Sequence, residues 1–457
     1  MPARTLLRSG LAAAALMFAA GAAQAHPVLM ISIDGLRPGD VLEAPQRGLA
    51  VPNLRRFLVD GAYADGVTGV LPTVTYPSHT TLITGATPAH HGIVNNNSFD
   101  PLQINAEGWM WYAQDIRVPT LWDAAHAAHL TVGNVHWPVS VGAASIDWNL
   151  PQIWHTGHPD DEKDLAALAT PGLLPELVAK EGPYARGIDD SVPGDVIRSR
   201  FALRLIADHH PDFLTVYLTG LDTTQHHAGP DTPASHAALE TIDGLVGRLI
   251  AAEQVAHPDA VIAVVSDHGF AAVDRGLYLW RAFIDAGLIH GADAGPGTGG
   301  WKITGWDAVP WASGGSIAVV LAHPEDAALR TRVGDVLAKL AADPANGIAR
   351  VIDHAAIVRG GGNPQADFYL DLAPDVMAIP FRGPNLPLVI APAPYKGMHG
   401  WLPGDARMRS TLLLMGPGVA RGRDLGTVDM RAIAPTLAVA MGTTLPTAEL
   451  PALPIAP

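Results

Sequence analysis

Short, nearly unbroken apolar runs recur along the chain: VLMISI at 28–33, LTVGNV at 130–135, FLTVYL at 213–218, AVIAVV at 260–265 and STLLLM at 410–415. Runs of this length lack the polar alternation of a strand with one wet face, and they are shorter than an ordinary helix. Between them, over 118–130, 195–209, 233–255 and 429–441, apolar positions return every three or four residues as on the buried stripe of a helix. Strands buried on both faces and alternating with helices predict an α/β fold, with a mostly parallel central sheet and helices on both of its faces.

The pattern changes after Gly269. Glycine- and tryptophan-rich loops such as GADAGPGTGGWKITGW lead to SIAVVLAH, a helical stretch over 324–342, then ARVIDHAAIV and DFYLDLA. This mixture reads as a small α+β cap over 271–391, inserted into one larger discontinuous domain of 26–270 and 392–457. The opening residues differ again. Arg4 and Arg8 precede the apolar run LAAAALMFAAGAA, which ends at Ala23-Gln24-Ala25, so a signal peptide is expected over 1–25. A periplasmic or secreted location follows, without stable membrane insertion once the leader is removed, because no other stretch is long and apolar enough to span a bilayer.

Composition narrows the chemistry. Of 457 residues, 48% are hydrophobic and 16% charged, which suits a large folded core. The formal charge is −15, and loss of the two leader arginines makes it −17. So acidic a surface argues against a nucleic-acid scaffold or an anionic membrane as partner, and leaves room for a small anionic substrate where a metal supplies positive charge. There is no cysteine. Disulfides, thiolate metal sites and cysteine nucleophiles are all excluded, and a metal would have to be held by carboxylates and imidazoles.

Such groups occur at telling places. The run at 28–33 leads into Asp34, the run at 213–218 leads through Thr-Gly-Leu into Asp222, and the run at 260–265 leads into Asp267-His268. Ligands of open α/β sheets bind beyond the carboxyl ends of the strands, so these acids converge on one rim. Asp222 and His226 are four apart, on one face of any helical turn, and His399 lies between Gly397 and Gly400. Together they supply ligands for two metals with three protein ligands each, leaving positions open for substrate or water, as in a hydrolase. The stretch LPTVTYPSHTTLITG at 71–85 adds Thr73, Thr75, Ser78, Thr80, Thr81 and Thr84 around Pro77, which fits the first turn of a helix beginning near Ser78. Position alone leaves open which of these hydroxyls does chemistry.

Five segments occurring in one order, ISIDG at 31–35, PTVTYPSHTTLITGATPAHHGIVNN at 72–96, YLTGLDTTQHHAGP at 217–230, SDHGF at 266–270 and GMHGW at 397–401, resemble the alkaline phosphatase superfamily, most closely its nucleotide pyrophosphatase/phosphodiesterase branch. The resemblance implies an alkaline phosphatase-like fold and two Zn2+ ions. It makes Thr75 the nucleophile, with Asp34, Asp267 and His268 sharing one ion with it. Asp222, His226 and His399 would hold the other ion, and Asn96 would contact a nonbridging phosphate oxygen. Tyr76 and Tyr217 match positions of substrate-stacking aromatics, although Tyr217 in its apolar run also reads as core. Trp109 and Trp111 are candidates for the entrance. The implied reaction passes through phosphothreonine by two in-line displacements, with net retention at phosphorus and a small-molecule phosphate ester as partner. The sulfatase pattern Cys-x-Pro-Ser-Arg is replaced by Thr75-Tyr76-Pro77-Ser78-His79. The segment HWPVSVGAASIDWNLPQIW at 136–154 matches no nucleotide pocket, and Lys396 is a possible clamp for extra charge. A phosphomonoesterase or phosphonoacetate hydrolase-like enzyme on the same site therefore stays open, as does, more remotely, a zinc-binding pseudoenzyme.

Overall fold

The computed structural model describes residues 25–105, 108–153, 157–158, 160–293 and 300–457; the leader expected over 1–25 lies, apart from Ala25, outside them. The strand Val28–Ile33 is central in an eight-stranded sheet whose order is Arg423–Asp424, Ala62–Tyr63, Leu412–Met415, Val261–Val265, Val28–Ile33, Phe213–Leu218, Val132–Val135 and Trp148–Leu150. From Val261–Val265 to Trp148–Leu150 the pairing is parallel throughout. All those carboxyl ends therefore meet at one rim. Leu412–Met415 runs antiparallel to Val261–Val265. It begins at the rim where its neighbour ends, so the chain leading into it, which carries His399, arrives beside Asp267.

Both sheet faces are dry. Val28 and Met30 enter one apolar core while Leu29, Ile31 and Ile33 enter the other, as the two-residue period of a strand requires. Helices Val192–His209 and Pro233–Ala256 cover one face with Leu205, Ile206, Leu239, Ile242, Val246 and Leu249. Leu121–Ala127 and Ile433–Ala440 contribute Leu121, Trp122, Ile433 and Leu437 to the other. The helix expected over 118–130 is shorter because Thr120 and Asp123 close a capping box: the Asp123 N–H donates to Thr120 Oγ1 (3.1 Å), and the Thr120 N–H donates to Asp123 Oδ2 (2.8 Å). That fixes the entry at Leu121.

Between 271 and 391 lies a four-stranded antiparallel sheet ordered Ala308–Ser313, Ser316–Leu321, Phe368–Leu372 and Ile348–Asp353. The helix Ala327–Ala341 packs Leu329, Val333 and Leu337 into the core beneath it, which also takes Met398, Trp401 and Met408. Trp401 donates from its indole N–H to Leu372 O (3.0 Å), and its carbonyl accepts from Thr73 Oγ1 (2.6 Å). At Gly400 the backbone is left-handed, φ +96°, and a Cβ would stand 1.9 Å from Ser313 O. Only glycine passes there, and His399 is held one residue away.

Candidate active site

Thr75 is the first residue of the helix Thr75–Thr84, which starts three residues before the position expected from Pro77 because proline is tolerated anywhere in a first turn whose N–H groups have no helical partner. Val74 precedes it in extended conformation, and the Tyr76 N–H is capped by Asn96 Oδ1 at 2.8 Å. With that oxygen engaged, Asn96 retains its amide NH2 as a donor. Asn95 is committed elsewhere, to Ala312 O (3.1 Å) and Ser313 Oγ (3.0 Å). Most competing hydroxyls of the segment are spent on backbone: Thr80 donates to Tyr76 O (2.8 Å), Thr81 to Ala86 O (2.9 Å) and Thr84 to Thr80 O (2.7 Å), while Ser78 Oγ is buried without a partner and Ser78 is not among the residues lining the cavity at Thr75. Thr75, with Tyr76 and Asn96, lines a cavity of about 350 Å³.

Acidic and imidazole groups from the rim converge on the same cavity. His268 Nε2 stands 3.4 Å from Asp34 Oδ1 and 3.0 Å from Asp267 Oδ2. Each carboxylate is braced through its other oxygen: Asp34 Oδ2 accepts from the Tyr217 hydroxyl, and Asp267 Oδ1 from the Gly35 N–H at 3.2 Å. His268 donates from Nδ1 to Gly269 O (3.1 Å), which leaves Nε2 as a lone-pair donor to a metal. Asp34 Oδ1, Asp267 Oδ2 and His268 Nε2 are buried without any hydrogen-bond partner. Three acceptors pressed together repel one another unless a cation sits among them.

A second group adjoins the first. Asp222 Oδ1, also buried and unpartnered, is 3.8 Å from His399 Nε2, and Asp222 Oδ2 is 3.3 Å from His226 Nε2. His226 donates from Nδ1 to Gly397 O (2.9 Å) and His399 from Nδ1 to Thr73 O (3.2 Å), so both turn Nε2 to the cavity. Asp34, Asp267 and His268 are close enough to share an ion, as are Asp222, His268 and His399. Burial, with Asp222 and Asp267 nearby, pushes the Asp34 carboxyl well above the usual range. Burial would raise Asp267 as well, but the His268 and His79 imidazoles outweigh it and hold it below that range. Burial and the neighbouring His268 bring His399 down to about 3, the neutral form that ligates metal. The donor set of Asp oxygens and His nitrogens fits a divalent metal of the zinc type.

The fold and this convergence meet an independent likeness. Residues 28–402 match the family model described as type I phosphodiesterase / nucleotide pyrophosphatase. The chain belongs to that family. It is 27% identical over 255 residues to human ectonucleotide pyrophosphatase/phosphodiesterase family member 1, covering 53% of this chain and 23% of that protein. It is 26% identical over 264 residues to the venom phosphodiesterase CdcPDE of Crotalus durissus collilineatus, covering 56% of this chain and 28% of the relative. The matches thus span about a quarter of those relatives' length. Among solved structures, human ectonucleotide pyrophosphatase/phosphodiesterase 5 has the same fold, with TM-score 0.64 and 18% identity over 92% of this chain and 96% of that one. The murine protein, solved as an inactive Thr-to-Ala variant in complex with AMP, gives TM-score 0.63 and 18% identity over 93% and 96%.

Other family-matched positions fall less simply. Tyr76 is buried, with its ring centroid 5.2 Å from that of Trp109 in an edge-on arrangement, and Trp109 also lines the cavity. Trp111 packs instead beside the apolar clusters around Leu150 and Tyr76. Tyr217 is only 1% exposed: its hydroxyl is on Asp34, its ring is stacked with His136 (5.9 Å) and His79 meets it edge-on at 4.4 Å. It braces Asp34 and still lines part of the cavity. His227 sits against Tyr395 at 5.6 Å, apart from the Asp222 to His226 contact, and the Lys396 side chain is exposed.

Sequence reasoning passed over several groups that the structure brings in. His79 donates from Nδ1 to Thr75 O (2.8 Å) and accepts at Nε2 from Ser32 Oγ (2.8 Å), tying the first helical turn to the central strand. Burial lowers its pKa and keeps it neutral for both bonds. Gln152, Asp190 and Thr219 also line the cavity. The rim rule reaches Gln152, two residues beyond the strand Trp148–Leu150. Asp190, in a loop, had no signal.

Proposed function

We propose that this chain is a secreted or periplasmic zinc-dependent phosphodiesterase of the nucleotide pyrophosphatase type, with Thr75 as nucleophile. One observation carries the reading: Thr75 stands at a helix N-terminus in a cavity where two groups of buried acceptors wait for cations. Asp34, Asp267 and His268 would hold one zinc beside Thr75, and Asp222, His226 and His399 the other. When bound, the two ions favour the alkoxide form of the Thr75 hydroxyl and neutralise charge on the phosphoryl oxygens.

The rest of the work belongs to the chain. Thr75 Oγ attacks phosphorus as one ester oxygen departs, leaving phosphothreonine; water then attacks the same phosphorus and releases Thr75, so two inversions give net retention. The first-turn N–H groups and the Asn96 amide meet the charge that builds on the nonbridging oxygens. His79 keeps Thr75 in register by holding its carbonyl against Ser32. Tyr217 fixes Asp34 so that one carboxylate oxygen alone is offered.

A diester is favoured over a monoester because no lysine or arginine is among the described residues lining the cavity, whereas a monoester dianion calls for such a clamp. The aromatic pair Tyr76 and Trp109 gives a second substituent an apolar surface. The same proposal treats 26–270 and 392–457 as the catalytic domain and 271–391 as its cap. The test is a substrate panel on purified, zinc-loaded protein: p-nitrophenyl thymidine phosphate, bis-p-nitrophenyl phosphate, p-nitrophenyl phosphate and phosphonoacetate. The diesters are expected to turn over fastest. A clear preference for the monoester or the phosphonate would replace the diesterase reading, and no turnover of any of them would leave a zinc-binding protein without this chemistry.

A further inference from the structure

The segment that begins at His136 and matches no nucleotide pocket reaches the cavity through Gln152. Directly after the strand Val132–Val135, His136 is held left-handed at φ 69°, and Val139 follows at φ 55°, costly for a β-branched residue. Val139 is fully buried against Tyr76, and Gln152 lines the cavity. The loop that carries Asp190, another lining residue, is held by one buried guanidinium. Arg198 donates from Nη1 to Gly187 O (2.9 Å) and Asp189 O (2.8 Å), and from Nη2 to Thr219 Oγ1 (2.6 Å) and to Asp195.

Three polar atoms of this wall are buried without partners: Gln152 Oε1, Asp190 Oδ1 and the Tyr76 hydroxyl. Each is costly to leave so, about 1–3 kcal/mol, and all three residues line the same cavity as Thr75. Two are acceptors only. Charge is unbalanced as well. Arg198 is matched by Asp195, which also takes the N–H groups of Thr219 and Gly220 at 2.9 Å each. His136 Nε2 is 3.7 Å from Asp190 Oδ1, beyond hydrogen-bond reach, and burial beside Arg198 keeps that imidazole neutral. Asp190 keeps one oxygen without a hydrogen-bond partner in the same cavity as the aromatic pair Tyr76 and Trp109, and Arg198, which also lies near it, is committed to Asp195 and backbone carbonyls. A carboxylate, an amide oxygen and aromatic rings around one recess are the surroundings an alkylammonium group requires.

We propose that this recess binds a primary ammonium on a short alkyl chain, carried as the organic substituent of the phosphate ester. The inference rests on the phosphodiesterase reading and names the class of ester it prefers: an aminoalcohol ester over a neutral one of equal size.

The test compares kcat/KM of the zinc-loaded protein for the p-nitrophenyl diesters bearing 2-aminoethyl, 2-hydroxyethyl and ethyl groups. In parallel, calorimetric binding of 2-aminoethyl phosphate and ethyl phosphate to the zinc-loaded Thr75→Ala protein reads the recess without turnover. A charge-assisted hydrogen bond predicts a preference of at least about tenfold for aminoethyl over ethyl in both measurements. Asp190→Asn is expected to shrink that ratio to within about twofold. Equal rates for aminoethyl and ethyl in the wild-type protein, a preference for hydroxyethyl, or a ratio that survives Asp190→Asn would each overturn the proposal. The wild-type ratio needs no variant to fold. If no ester is hydrolysed, the phosphodiesterase reading fails, and the binding ratio still decides the recess.

Discussion

The metal side of the cavity and the recess at Asp190 both hold buried acceptors without partners, yet they are supported differently. Asp34 follows directly on one central parallel strand and Asp267 stands one residue further past the neighbouring strand, and each has one oxygen tied, by Tyr217 for one and the Gly35 N–H for the other. Gln152 and Asp190 sit on irregular chain, and the loop around Asp190 hangs on the Arg198 to Asp195 pair. A strand end carries its side chain in a direction set by the ladder on both sides. A loop end takes its direction from whatever single anchor lies beneath it. The first arrangement suits chemistry that tolerates little displacement, and the second leaves the substituent-binding wall free to differ while the metal side stays the same.

The sharpest break between the two sides is expected from Thr75→Ala. Loss of the nucleophile should lower kcat on the order of ten-thousand-fold, while zinc content measured by elemental analysis stays at two ions per chain. Activity close to wild type in that variant would remove Thr75 from the mechanism. Next in size is Asp195→Ala, which strands the buried Arg198 charge and should cost about 3–5 kcal/mol of stability. Calorimetric unfolding should show the loss. Asp195 also accepts from the Thr219 and Gly220 N–H groups at the start of the helix that carries Asp222 and His226, so the folded fraction should hold the ion of that side more weakly and keep the ion of Asp34, Asp267 and His268. Loss of both ions in step with stability would show that the two groups are not separately supported.

Tyr217→Phe probes the metal side more gently. Removing the hydroxyl that braces Asp34 should weaken zinc binding about 10–100-fold, read by competition with a chelator, and should leave the aminoethyl-to-ethyl ratio unchanged. The smallest effect concerns a site remote from both. Glu449 accepts from the Thr87 N–H (2.7 Å) and pairs with Arg431 (2.9 Å). Burial acts to raise it, but these partners win and bring its pKa from 4.5 to about 2. A carboxylate with a depressed folded pKa stabilises fully above its unfolded value, and that stability is lost as pH falls from about 4.5 toward 2. Glu449→Gln should therefore cost about 2 kcal/mol at neutral pH and converge with wild type near pH 2 in thermal unfolding. A gap that persists there would mean that shape, not ionisation, is at stake.

Much of this was legible in the chain. Val28–Ile33 and Phe213–Leu218 coincide with their apolar runs, and Pro233–Ala256 differs from its expected span by one residue. Leu412–Met415 also reads as a buried strand, but its antiparallel direction does not, since an apolar run has no sense of direction. The metal-ligating candidates could be found because strand ends and an i,i+4 spacing are local facts. Thr75 could be singled out only by resemblance, and the structure adds that the Thr80, Thr81 and Thr84 hydroxyls are spent on backbone carbonyls. His79 and Arg198 gave no local sign, because their roles depend on partners 47 and 21 residues away, namely Ser32 and Thr219; Asp190 reaches the cavity only by the path of its loop.

What the sequence determines by itself, then, is the buried sheet, the rim at which acids must gather, and the absence of thiol chemistry, since each follows from residue type and short-range spacing. Tertiary structure decides which oxygen of each carboxylate is tied and which is left for a cation, which tautomer each histidine holds, and that Tyr217 serves Asp34. It also brings Gln152 and Asp190 to one recess. These depend on contacts between segments far apart in the chain, where hydrogen-bond geometry and burial, not residue type, set what a side chain can do.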